Sequence, residues 1–114
     1  MQDERPRRRH ERIRLGGSVR LMLDTSDGLR TACGQIVDLS LGGCAIRVHR
    51  IIDSDLAGRV QVEVAGKSMW LPVITRWVRP DSRGWTVGCE FDRLTPEKLH
   101  LISALLRERR SLTA

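Results

Sequence analysis

The strongest constraint on the fold is an apolar rhythm of two, repeated in short runs that turn residues interrupt. Val19, Leu21 and Leu23 alternate with Arg20, Met22 and Asp24. Val60, Val62 and Val64 alternate with Gln61 and Glu63, and Trp85, Val87, Cys89 and Phe91 with Thr86, Gly88 and Glu90. A period of two sends successive side chains to opposite faces, so each run reads as a strand with one buried face. Residues 30–38 give another strand, with Ala32, Gly34, Ile36 and Asp38 on one face and Cys33, Gln35 and Val37 on the other. Cys44 to Val48 and Met69 to Val78 complete the set; Pro72 inside the latter points to an edge or a bulge. Ser26-Asp27-Gly28, Leu39-Ser40-Leu41-Gly42-Gly43, Ala65-Gly66-Lys67 and Pro80-Asp81-Ser82-Arg83-Gly84 punctuate these runs, while residues 50–58 are less regular. About six short strands at this spacing predict an all-β barrel or sandwich.

The period changes after Thr95. Thr95 suits a helix cap, Pro96 the first turn and Glu97 the positive end of the helix dipole. Leu99, Ile102, Leu105 and Leu106 recur at helical spacing, so one face of this terminal helix should pack on the barrel. A chain of 114 residues fits one domain of ordinary size.

Charge is concentrated at the start. Residues 1–14 hold six arginines against Asp3, Glu4 and Glu11, which is half of the net +6. This apolar-poor segment reads as a flexible basic arm (residues 1–14) ahead of the barrel and helix (residues 15–114). Lys67 and Lys98 are the only lysines. Arginine offers a planar donor fork and a stacking face, so the balance favours a ligand combining phosphate with flat bases. The N-terminus is charged from Asp3 onward and has no apolar signal core. No run approaches the roughly 20 apolar residues of a membrane span. The expected address is the cytoplasm, without membrane insertion. Cys33, Cys44 and Cys89 are odd in number and read as small buried hydrophobes.

Two segments carry chemistry. Arg7-Arg8-Arg9-His10-Glu11-Arg12 contains Arg8-x-x-x-Arg12, and Asp38-Leu39-Ser40-Leu41-Gly42-Gly43 lies where a strand meets a turn. Each is common alone; their order and spacing on this scaffold are specific. Together they resemble the motifs of the PilZ domain family. Arg8 and Arg12 match the family's two arginines, Arg7 the additional arginine before them, and Asp38, Ser40 and Gly43 the Asp-x-Ser-x-x-Gly motif. Val87-Gly88-Cys89-Glu90-Phe91 and the leucine-rich terminal helix extend the resemblance. It implies a six-stranded antiparallel PilZ-type β-barrel with a C-terminal α-helix, and cyclic di-GMP as ligand, with no cofactor.

That ligand suits the residues. Guanidinium forks pair phosphate oxygens, stack on guanine or take its O6 and N7 edge. Ionised Asp38 accepts from guanine N1–H and N2–H₂, and Ser40 bridges the base and the nearby backbone. Gly42 and Gly43 permit a tight turn and a close ligand approach. The expected ligand-binding set is therefore Arg7, Arg8, Arg12, Asp38, Ser40, Gly42 and Gly43. Signalling would follow from ordering of the arm and act through a protein effector, with no DNA or RNA partner.

Other readings stand beside this one. The arm can be a solvated charge run or a non-specific nucleic-acid or polyanion binder. The Asp38–Ser40 segment can be a plain turn, and the domain a protein-interaction module with a vestigial nucleotide site. Glu11 inside the arginine motif works against phosphate binding. Trp70, Trp77 and Trp85 suit the core or the barrel rim; Trp77, beside Arg76 and Arg79, also suits base stacking. Arg47 and Arg50 follow the second motif and place further charge near it. His49 and His100 lack metal-ligand spacing to each other or to the cysteines, so no metal site is expected. No nucleophile–base pair or phosphate-cradling loop is legible, so the chain reads as a receptor and not an enzyme.

Overall fold

In the computed structural model the period-two runs are strands, and their buried residues converge on one core. The structure describes residues 13–14, 17–64 and 66–113. The strands are β1 (Ile13–Arg14), β2 (Ser18–Thr25), β3 (Gly28–Leu39), β4 (Gly43–Val48), β5 (Ala57–Val64), β6 (Lys67–Asp81) and β7 (Gly84–Phe91), followed by helix α1 (Pro96–Thr113). All pairings are antiparallel, in the order β3-β2-β5-β6-β7-β4, and β4 pairs back onto β3. The six long strands thus form a closed barrel, which leaves them no open edge. β1 adds to the outer flank of β3, pairing Ile13 with Leu39 and Arg14 with Asp38.

Alternation fills the barrel. Leu21, Leu23, Ile46, Val60, Leu71, Val73 and Val87 are fully buried and belong to one apolar cluster. Each large side chain of this kind contributes about 1.5–3 kcal/mol when removed from water. Helix α1 adds Ile102 and Leu106 to the cluster, while Leu99, expected on the same stripe, is 39% exposed. Thr95 caps the helix as expected, its Oγ1 accepting from the Lys98 amide at 3.2 Å. Among the described residues no helix is long and apolar enough to cross a membrane.

The turns follow their residues. The β2–β3 hairpin turns at Ser26-Asp27, with Gly28 at φ 110° and Thr25 Oγ1 donating to the Gly28 carbonyl at 2.7 Å. The segment 80–84, read as a loop, is instead a two-residue hairpin: Asp81 pairs with Gly84, whose φ is 140°. Gly58, read as part of the irregular stretch, lies within β5. A Cβ there would sit 2.1 Å from the Met22 carbonyl, so the close approach of β2 requires glycine.

Three local expectations change. Pro72 is at neither an edge nor a bulge. Its carbonyl accepts from the Asp92 amide just beyond the end of β7, so its missing N–H faces a side where the ladder has already stopped. The β6 irregularity lies instead between Thr75 and Trp77. Strict alternation would also put Asp38 on the core side with Ile36. A bulge between them turns Asp38 outward, opposite Ala45, while Ile36 stays paired with Ile46. Finally, Cys44 and Cys89 are buried and face each other across β4–β7, but Cys33 is exposed.

Candidate functional site

The bulge in β3 creates a continuous row across the outside of the barrel. Arg14 pairs with Asp38, Asp38 with Ala45, Ala45 with Gly88, and Gly88 with Trp77. Paired residues share a face, and neighbouring strands lie about 4.8 Å apart, so Asp38 and Trp77 stand roughly 14 Å apart along the sheet. Between them the floor is built from the two smallest side-chain positions available, Ala45 and Gly88. A Cβ on Gly88 would lie 2.0 Å from Trp77 Cε2, so the indole rests directly against this glycine. The result is a low stretch of the outer face, the trough, with a carboxylate at one end and an indole at the other; Ala45 and Gly88 beneath it are both buried.

One side of the trough is the β3–β4 turn. Asp38 is half-buried, and Ser40 is buried. Ser40 Oγ accepts from the amides of Gly42 at 3.2 Å and Gly43 at 3.3 Å, and its amide donates to the Gly43 carbonyl at 2.8 Å. The hydroxyl thereby holds the turn from inside, a use that residue type alone does not reveal. Gly43 has its own structural reason. A Cβ there would meet the Cys89 carbonyl at 2.1 Å, so β4 and β7 pack as they do only around glycine. The Gly42 carbonyl accepts from the Phe91 amide at 2.9 Å, tying the turn to the end of β7.

The other side is a polar row: Gln35 pairs with Arg47, Arg47 with Thr86, and Thr86 with Arg79. Arg47 Nε donates to Asp81 Oδ2 at 3.1 Å, and Thr86 Oγ1 donates to the same oxygen at 2.6 Å. The Arg83 amide donates to Asp81 Oδ1 at 2.8 Å. These donors, Thr86 foremost, then the Arg83 amide and Arg47, hold the Asp81 carboxyl down at about 2. The Arg79 guanidinium lies 4.5 Å from the centre of the Trp77 ring. Arg76, in the β6 bulge, donates from Nε to Glu90 at 2.7 Å and from Nη1 to Asp55 at 3.4 Å, and its pKa is raised mainly by the Glu90 bond.

Of the residues expected from sequence, Asp38, Ser40, Gly42 and Gly43 come together at this turn. Arg7, Arg8 and Arg12 lie outside the described residues. The floor residues Ala45 and Gly88 and the Asp81 anchor were not singled out in the sequence. Small residues at outward positions, between the inward Cys44, Ile46, Val87 and Cys89, were the available signal for the floor. Nothing local signals Asp81, 34 residues from Arg47. Among the described residues no three His, Cys, Asp or Glu side chains gather to hold a metal.

The family model described as PilZ domain matches residues 6–108, with both motifs inside the match. The chain belongs to the PilZ domain family. Several solved structures share its fold. The PilZ domain of YcgR from Escherichia coli, solved with c-di-GMP, superposes with a TM-score of 0.69 at 18% identity, covering 95% of this chain and 98% of that one. A longer YcgR from Escherichia coli in complex with c-di-GMP gives 0.72 at 19% identity, over 94% of this chain and 49% of that one. The MrkH–c-di-GMP complex of K. pneumonia gives 0.75 at 16% identity, over 95% of this chain and 54% of that one. The PilZ chain thus spans about half the length of the longer YcgR and of MrkH. No curated protein matches it.

Proposed function

We propose that this PilZ domain is a cyclic di-GMP receptor whose ligand lies in the trough between Asp38 and Trp77, closed by the arginines that precede β1. The observation that carries the reading is the pairing of β1 with the second motif: Ile13 with Leu39 and Arg14 with Asp38. Arg12 is joined by one peptide bond to Ile13, and the proposal brings Arg12, with Arg7 and Arg8 a few residues before it, to the Asp38–Gly43 turn. Both motifs then address one ligand.

The chemistry divides among the residues. The arginines supply charge-assisted bonds to the phosphates. Asp38, on the outer face of β3, accepts from guanine N1–H and N2–H₂. Ser40, Gly42 and Gly43 keep the turn low and tight, so that a base can approach the backbone. Trp77, with the Arg79 guanidinium over its ring, forms a cation–π pair at the other end against which a second base can stack. Ordering of the segment ahead of β1 over the ligand, read out by a protein effector, is the signalling step within this proposal. In this proposal the parts of the site bind and orient the ligand.

Isothermal titration with cyclic di-GMP, cyclic di-AMP and GTP tests the reading on the wild type, Arg8→Ala and Asp38→Ala. Selective binding of cyclic di-GMP is expected, weakened in both variants, with Asp38→Ala costing about 1–3 kcal/mol, the scale of a lost base contact. A non-specific polyanion binder behaves in the opposite way. It shows no selectivity and a steep salt dependence, and it binds at least as well after Asp38→Ala removes a negative charge. That outcome sinks the receptor reading.

A further inference from the structure

We infer that Arg47 is a specificity-determining residue of this site, presenting its two Nη groups to the O6 and N7 acceptors of a guanine, and that Asp81 is the positioning residue that holds it in that pose. The inference rests on the trough being the nucleotide site.

Ala45, the partner of Asp38, and Arg47 lie two residues apart on β4, on the same face, roughly 7 Å along the strand. Arg47 therefore borders the trough, flanked by Gln35 and Thr86. Arg50, by contrast, lies beyond the end of β4, outside this row.

Among the described residues the Arg47 side chain makes one hydrogen bond, from Nε to Asp81. Asp81 cannot follow a moving arginine, because Thr86 Oγ1 and the Arg83 amide fix both of its oxygens. With Nε consumed, the end edge of the guanidinium keeps a parallel pair of N–H donors. That fork matches the O6 and N7 acceptors of guanine and is opposed by the amino group of adenine. Both partners are partly screened from water, with side chains 32% and 23% exposed, so the pose is supported by packing as well as by charge.

Charge decides which part of the ligand Arg47 addresses. The Asp81 carboxylate already balances its guanidinium, and a neutralised pair gains less from a phosphate than a free cation does. Its donor geometry is undiminished. The segment 5–14, with six arginines against the single Glu11, carries the larger net charge and is the better phosphate partner, which leaves Arg47 to read a base.

The test pairs a side-chain change with an atom change in the ligand. Cyclic di-GMP and its 7-deazaguanine analogue, which lacks the N7 acceptor, are titrated into wild type, Arg47→Met, Arg47→Lys and Asp81→Asn. Thermal melting confirms that each variant folds. In the wild type, loss of N7 should weaken binding about tenfold. In Arg47→Met and Arg47→Lys the two ligands should bind within about twofold of each other, because neither side chain carries the fork. Asp81→Asn should weaken cyclic di-GMP in the Arg47 background and have no further effect in the Arg47→Met background. An N7 penalty of the same size with and without Arg47 overturns this inference and leaves the receptor reading standing. A wild type that binds neither ligand overturns both.

Discussion

Thr75 offers a direct test of how the fold supports the site. It is fully buried in β6, and its hydroxyl makes two hydrogen bonds of 2.9 Å, accepting from the Leu56 amide and donating to the Asp53 carbonyl. Its own amide donates to the Leu56 carbonyl at 2.9 Å, and its carbonyl accepts from the amide of Asp55, a residue held at φ 63°. One side chain thus staples the irregular segment 49–56 to the barrel. Thr75→Val keeps the shape and deletes the hydroxyl. Asp53 is exposed, so its carbonyl can turn to water; Leu56 is half-buried, and its amide loses its partner. An unsatisfied buried donor costs about 1–3 kcal/mol. For a domain of this size that is a fall in Tm of roughly 4–12 °C. Urea denaturation should show a lower midpoint with an unchanged slope, which marks a loss of stability rather than a change in exposed area. Hydrogen exchange at the Leu56 amide should accelerate more than at the buried strand amides. Thr75→Ser, which retains the hydroxyl, should restore slow exchange at Leu56. A Thr75→Val variant as stable as the wild type, with Leu56 still protected, would refute the staple. The segment matters to the site because its Asp55 meets Arg76, the bulge residue beside Trp77.

Two further outcomes follow from the same geometry. Gly43→Ala should destabilise the fold by about 1–3 kcal/mol without any ligand, because the added Cβ lies 2.1 Å from the Cys89 carbonyl and the backbone must move; an unchanged Tm with lost ligand affinity would instead make Gly43 a ligand contact alone. Asp81 titrates at about 2 in the fold against an ordinary 3.8, so its ionised form stabilises the native state. That contribution is complete above the ordinary value and is lost as pH falls through about 2. The stability advantage of wild type over Asp81→Asn should therefore be flat near neutral pH and fade between about pH 4 and pH 2, as melting curves taken across that range would show.

Much of this protein is written locally. Period-two runs specify the barrel strands because one slipped residue would expose every core side chain. Gly28 and Thr95 specify a turn and a helix start through backbone freedom and capping, both of which act over two or three residues. The order of the arginine and Asp-x-Ser-x-x-Gly motifs points to the family for the same reason: each is a short stretch of chemistry. Tertiary structure decided what depends on register between distant strands. The bulge before Asp38 turned a carboxylate that alternation assigns to the core onto the outer face of the barrel, where it stays half-buried. Pairing of β4 with β7 set Ala45 beside Gly88 as the trough floor, and pairing of β7 with β6 laid Trp77 against it. The same strand order brings Asp81 to Arg47. No local rule reaches across these separations. A side chain's face and partners are fixed only once the barrel closes, because closure makes each strand's register depend on all the others.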